Sequence, residues 1–270
     1  MPLTFPAHQG LIVPLKLRWP RWFDATALCI GSAAPDLAYS FDRYIGYRSH
    51  SVLGLLLWAV PFTLVAAAVT RRWAAAGIFA VGPDLGPLRL RSYRVLGLRR
   101  PAPLVTLSSA VLAAGSHMVV DSFTHNHRWG ANLLSVNEVV LTAPIKGPMT
   151  GADLLQYAGH AVGSLLFAVF IVVVSLGGRL ERWYGADAVA RARTVVVSGR
   201  DRAVFATIVA VPVAVSIVWP WVVWGRARFE PLTALAVSLL VAGTVIGRRH
   251  PIAPEPKRRA EPVGPSRRPE

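Results

Sequence analysis

Gly115-Ser116-His117-Met118-Val119-Val120-Asp121-Ser122-Phe123-Thr124-His125 is the stretch on which the reading of this chain turns. It closes an apolar run that begins near Pro101 and carries two metal-type ligands inside a hydrophobic helix. His117 and Asp121 are spaced i, i+4, so a helix puts them on one face about a turn apart. Ionisable groups near the end of a membrane helix are costly unless they face a polar interior, a partner or a shared ion. Two readings stay open on this stretch alone. One is a His–Asp pair that ties helices together by hydrogen bonds; the other is part of a metal centre whose remaining ligands lie elsewhere.

Hydrophobic residues make up 53% of the 270 residues and charged ones only 16%, where soluble chains carry about 25% charge. Mean hydropathy is +0.45. Apolar runs of about 20 residues are long enough to cross a bilayer, and about five occur here. The chain is therefore expected to be all-α, a polytopic integral membrane helix bundle with short N-terminal helices. A single cysteine, Cys29, excludes an internal disulfide and a cysteine-built zinc site. Any metal must then be held by histidine and carboxylate. The net charge of +15 is compatible with nucleic acid, but the arginines stand in loops between apolar runs, where orientation signals belong. Membrane lipid, not nucleic acid, is the expected partner.

Residues 1–23 interleave Lys16, Arg18 and Arg21 with Trp19, Trp22 and Phe23, as suits a membrane interface. No apolar core follows a basic start there, so no secretory leader is expected. Asp24 is expected to N-cap a short helix through Ala25–Ala33, ended by Pro35, with Asp36 at the turn that follows. Spans are expected over 51–70 (kinked at Pro61), 101–120, 158–177, 203–224 and 231–247. Gly159 and Gly163 open the third in small-xxx-small spacing. Residues 1–247 then form one membrane domain, with 1–50 an extracytoplasmic segment. Residues 248–270 form a disordered basic tail able to touch anionic lipid headgroups.

Charge sets the orientation. Arg71, Arg72, Arg89, Arg91, Arg94, Arg99 and Arg100 follow the first span; Arg179, Arg182, Arg191, Arg193, Arg200 and Arg202 follow the third. The loop after the second offers Arg128 and Lys146, and that after the fourth Arg226 and Arg228. The positive-inside rule puts the C-terminus in the cytoplasm of a bacterial cell. Lys16, Arg18, Arg21, Arg43 and Arg48 before the first span run against it. With this topology His8, Asp36, His50, His117, Asp121, His125 and His127 all fall on the extracytoplasmic face.

His8, Asp36, His50, His117 and Asp121 make a three-histidine, two-carboxylate set. Imidazole nitrogen and carboxylate oxygen suit zinc first, with manganese or iron as alternatives. Taken singly, each has a plainer reading: His8 a terminal histidine, Asp36 a turn former, His50 a hydrogen-bonder at a helix start. His125, Gln156 and His160 are candidates for the outer shell that orients ligands. Asp153 and Glu138 read as ordinary loop charges.

The opening Met1-Pro2-Leu3-Thr4-Phe5-Pro6-Ala7-His8, the turn Gly31-Ser32-Ala33-Ala34-Pro35-Asp36-Leu37, Ser49-His50-Ser51 and the Gly115–His125 stretch resemble the bacterial membrane family known as domain of unknown function 4184. The likeness covers most of residues 1–177, and the later spans match only as hydrophobic helices. More distantly the chain resembles the inner-membrane metal-dependent hydrolases. Those share an N-terminal His, a Pro-Asp turn, a His-Ser before a helix and a His-x-x-x-Asp. That resemblance implies His8, Asp36, His50, His117 and Asp121 as metal ligands. A looser likeness to zinc phospholipases C and nucleases is analogy.

The preferred reading is a membrane-embedded, metal-dependent hydrolase acting on a phosphoester or lipid-like substrate, with Asp36 or Asp121 as possible general base. The rivals are a structural or assembly protein locked by its His–Asp pairs and a transporter relaying ions. Almost no polar residues continue through the later spans, which counts against the transporter.

Overall fold

A computed structural model describes residues 4–41, 49–82, 86–144, 146–224 and 230–253. Arg43, Arg48, Arg226, Arg228 and residues 254–270, most of the expected tail, lie outside them. The fold is an all-α bundle, and five helices are long and apolar enough to cross a membrane: Val52–Val81, Pro103–Thr124, Gly151–Leu176, Gly199–Val223 and Glu230–Arg249. One antiparallel strand pair, β1 (Val139–Ala143) with β2 (Gly147–Thr150), joins the second span to the third.

The first span runs on to Val81 because two wide turns of π type, Leu55–Ala59 and Thr70–Ala74, are absorbed within it. Pro61 follows the first wide turn, which loosens the ladder where the ring removes a donor. Arg71, read as a loop charge, lies inside the second and is buried. Its guanidinium pairs with the Asp24 carboxylate, which neutralises both charges. Asp24 also caps Ala25–Gly31 through Thr26 N–H, 3.1 Å away, and accepts from the Thr106 hydroxyl at 2.9 Å. One carboxylate thus joins a short helix to two spans.

The third span starts at Gly151, earlier than its apolar run. Thr150 and Asp153 form a reciprocal capping box there, so Asp153 is a helix-start residue and not a plain loop charge.

The segment before the first span is not a surface layer. Helix Thr4–Ile12 runs along the third span, Leu15–Arg18 follows it, and Ala25–Gly31 and Ala34–Leu37 return along the second. Its bend places Lys16, Arg21 and Phe23 beside Arg99, Arg100, Arg179 and Arg182. Lys16 and Arg21 therefore belong with the arginine-rich end of the bundle. The descending arm needs a close approach: a Cβ on Gly163 would stand 2.3 Å from the Ala7 carbonyl oxygen. A second glycine crossing seats the last span, where a Cβ on Gly77 would meet the Gly243 carbonyl oxygen at 2.0 Å.

Candidate metal centre

Four side chains from three parts of the chain meet at the end of the bundle opposite that bend. His117 and Asp121 come from the last turns of the second span, and His50 stands just before the first, whose cap is Ser51. Asp36 lies in Ala34–Leu37, a turn that opens with Pro35 in its first positions and is buried throughout. Pro35 therefore starts a new helical turn after Gly31 instead of simply ending the old one.

The geometry is compact. His50 Nε2 lies 3.1 Å from His117 Nε2, 3.2 Å from Asp36 Oδ1 and 3.2 Å from Asp121 Oδ2. His117 Nε2 lies 3.3 Å from Asp36 Oδ1 and 3.4 Å from Asp121 Oδ2. One ligand atom from each of the four falls within 4.8 Å of all the others. Ligands about 2.0–2.1 Å from a tetrahedral zinc stand about 3.3–3.4 Å from one another. The five measured edges match that spacing, and the quartet can hold a metal ion.

Proton placement makes the same point. The Ser32 carbonyl lies 2.8 Å from His117 Nδ1 and can only accept, so Nδ1 carries the hydrogen. In its neutral form His117 turns the Nε2 lone pair toward two carboxylate oxygens and a second imidazole nitrogen; as an imidazolium it donates there instead. Ser49 Oγ lies 3.0 Å from His50 Nδ1, a contact in which the hydroxyl can donate or accept, and the Tyr39 ring stacks on His50 at 4.8 Å. Converging lone pairs repel unless a cation, a proton or a metal, sits among them. Backbone and hydroxyl partners on the outer nitrogen are also how metal-bound histidines are held in orientation.

Electrostatics agree outside the spans. Burial pushes the Asp36 carboxyl up, but the imidazoles of His117 and His50 outweigh it and hold it below the usual carboxylate range. Burial lowers His50, yet Asp121 and Asp36 carry it above its ordinary value. The two carboxylates call for positive charge. Burial, and next the neighbouring His117, bring the His8 imidazole down to about 4.

His8 stands beside the quartet and not within it. Its Nε2 is 3.5 Å from Asp121 Oδ1, the oxygen turned away from His50 and His117, and its ring lies 4.1 Å from that of His117. His125 Nδ1 engages the Asp121 carbonyl at 3.2 Å, and its Nε2 meets the Gln156 amide at 3.2 Å. Gln156 and His160 line a small cavity of about 230 Å³ with His8. His127 turns outward, its N–H donating to Asn137 Oδ1. Sequence reasoning missed Ser32, whose carbonyl fixes His117; backbone acceptors leave no residue signature. It also missed Arg128, which with Trp129, His50 and Ser51 lines a groove of about 960 Å³ between the first two spans.

Fold and site together define a polytopic membrane helix bundle carrying a buried two-histidine, two-aspartate centre. The chain belongs to the family described as domain of unknown function (DUF4184), whose model matches residues 1–248 and so takes in the last two spans as well. No curated protein and no solved structure matches the chain.

Proposed function

We propose that this chain is a membrane-embedded, metal-dependent hydrolase of phosphoester or lipid-like substrates. Its site would face the extracytoplasmic side of a bacterial cell membrane, with the C-terminus in the cytoplasm. The observation that carries the reading is the compact quartet of Asp36, His50, His117 and Asp121, whose ligand atoms lie within 4.8 Å of one another. A divalent ion there, zinc first and manganese or iron as alternatives, supplies Lewis acidity and lowers the pKa of water. The Ser32 carbonyl orients His117, and Ser49 holds the outer nitrogen of His50. Asp121 Oδ1, left outside the quartet, is placed to take a proton, and His8 orients that carboxylate. Asp36 is the alternative base. The groove beside His50 has one wall of apolar span residues and Arg128 at its rim, which suits an anionic group on a lipid-like body. Lys16 and Arg21, which by sequence order ran against the orientation, lie with the arginines of the opposite end and favour the extracytoplasmic site.

A second reading also has an observation behind it. His117 as an imidazolium between Asp36 and Asp121 would satisfy the same lone pairs and lock helices with no metal. Elemental analysis of detergent-purified protein separates the two. The hydrolase reading expects about one zinc, manganese or iron per chain and metal-dependent cleavage of bis-(p-nitrophenyl) phosphate or of a phospholipid. A chain that binds none of these ions, with the bundle intact, leaves only the structural lock.

A further inference from the structure

At the end opposite the metal centre the bundle carries a second feature, which the hydrolase reading does not use. A cleft of about 1400 Å³ is lined by Lys16, Arg21, Arg99, Arg100, Arg179 and Arg182, with no aspartate or glutamate on its walls. Lys16 Nζ is already engaged by the Pro20 and Phe23 carbonyls at 2.6 and 2.8 Å, and Arg182 by the Gly177 and Gly178 carbonyls. The Nε of Arg179 is buried with no partner. Asp24, the carboxylate nearest Lys16, is already paired with Arg71, so six cations share a cleft whose walls carry no acidic side chain, which marks a site for an anion.

The cleft does not end at its cations. Lys16, Trp183 and Tyr184 also border an apolar chamber of about 920 Å³ inside the bundle. Its walls include Val13, Phe79, Phe170, Val174 and Leu180. Cations at the mouth and hydrocarbon behind them are the two halves of an amphiphile. A soluble anion would use the first half only; an uncharged lipid would use the second only. Basic pockets between spans on the cytoplasmic side are a recognised seat for anionic headgroups.

We propose that this cleft and chamber together bind one anionic phospholipid, the phosphate among Arg99, Arg100, Arg179 and Arg182 and an acyl chain in the chamber. The site is separate from the metal quartet and stands or falls without it. The test uses full-length protein in detergent and measures binding of fluorescent phosphatidylglycerol against phosphatidylcholine with the same chains. Phosphatidylglycerol is expected to bind at least tenfold more tightly, with the preference shrinking as salt rises. Arg99→Gln with Arg100→Gln, both exposed, should remove about tenfold of that affinity. Ile30→Trp, which fills the chamber, should weaken the lipid at least fivefold while the protein stays monodisperse. Equal binding of the two lipids, or affinity unchanged in both variants, overturns the proposal. Full competition by millimolar inorganic phosphate overturns it too, because the cleft would then be a soluble-anion site.

Discussion

His50 Nε2 and His117 Nε2 face one another at 3.1 Å although 67 positions separate them in the chain. Two imidazole nitrogens come that close without strong repulsion only when a hydrogen or a metal lies between or beside them. Asp36 and Asp121 supply the negative charge on either side, so the four atoms enclose a space suited to one cation.

Removing a corner of that space should remove the ion. His117→Ala and Asp121→Asn are each expected to weaken metal binding by at least about 100-fold, beyond what loss of an outer partner costs. Inductively coupled plasma mass spectrometry on purified variants reads this directly. Full metal content in His117→Ala would show that the quartet is no metal centre.

His8 contacts the far oxygen of Asp121 and should behave differently from the four. His8→Ala is expected to reduce metal affinity by about 10-fold, in the range of orienting partners, and to lower turnover further than occupancy. Titration with a zinc chelator beside steady-state rates separates the two effects. A loss as complete as that of His117→Ala would promote His8 to a ligand.

Asp24 and Arg71 form a buried pair whose breakage strands one charge. Arg71→Leu should cost about 3–5 kcal/mol of stability. Asp24→Asn added to it should restore much of the loss, since no charge then remains to bury. Thermal unfolding in detergent, read across the two single variants and the double, would expose an absence of coupling.

Gly163 and Gly159 provide a matched pair on one helix. A side chain at Gly163 collides with Ala7, whereas a Cβ on Gly159 meets nothing within 4 Å. Gly163→Val is therefore expected to destabilise by about 1–3 kcal/mol through overpacking, and Gly159→Val by much less. Equal melting temperatures for the two would contradict the packing of the N-terminal arm on the third span.

Sidedness can be read with thiol reagents in whole cells. Asn137→Cys, in the loop beside the centre, should react with an impermeant maleimide from outside, and Val196→Cys only after permeabilisation. Native Cys29 gives a silent background because burial pushes its thiol up to about 12. The opposite labelling pattern would turn the centre toward the cytoplasm.

Much of this molecule is written locally. Apolar runs fix five helices because a chain segment surrounded by hydrocarbon must satisfy its own backbone. The i, i+4 pair His117–Asp121 on such a run marks a site end, and Asp24 before Ala25 marks a helix start. Residues at the edges of runs were harder to read. Arg71 looked like a loop charge since nothing local reveals that Asp24 waits for it across the bundle. Gly243 and Gly247 carry a visible small-xxx-small spacing, and only the partner Gly77 shows what it is for.

What the amino-acid order determined by itself is the class: membrane helices, a single cysteine and so no internal disulfide, and a handful of ionisable residues too costly to be idle. What the tertiary structure decided is which of them meet. Asp36 and His50 reach the second span because the N-terminal segment dives among the spans to the arginine-rich end and climbs back, with Ser32 brought against His117. That route depends on close helix contacts and a buried ion pair between distant positions, and such contacts are properties of a packed bundle that no single segment encodes.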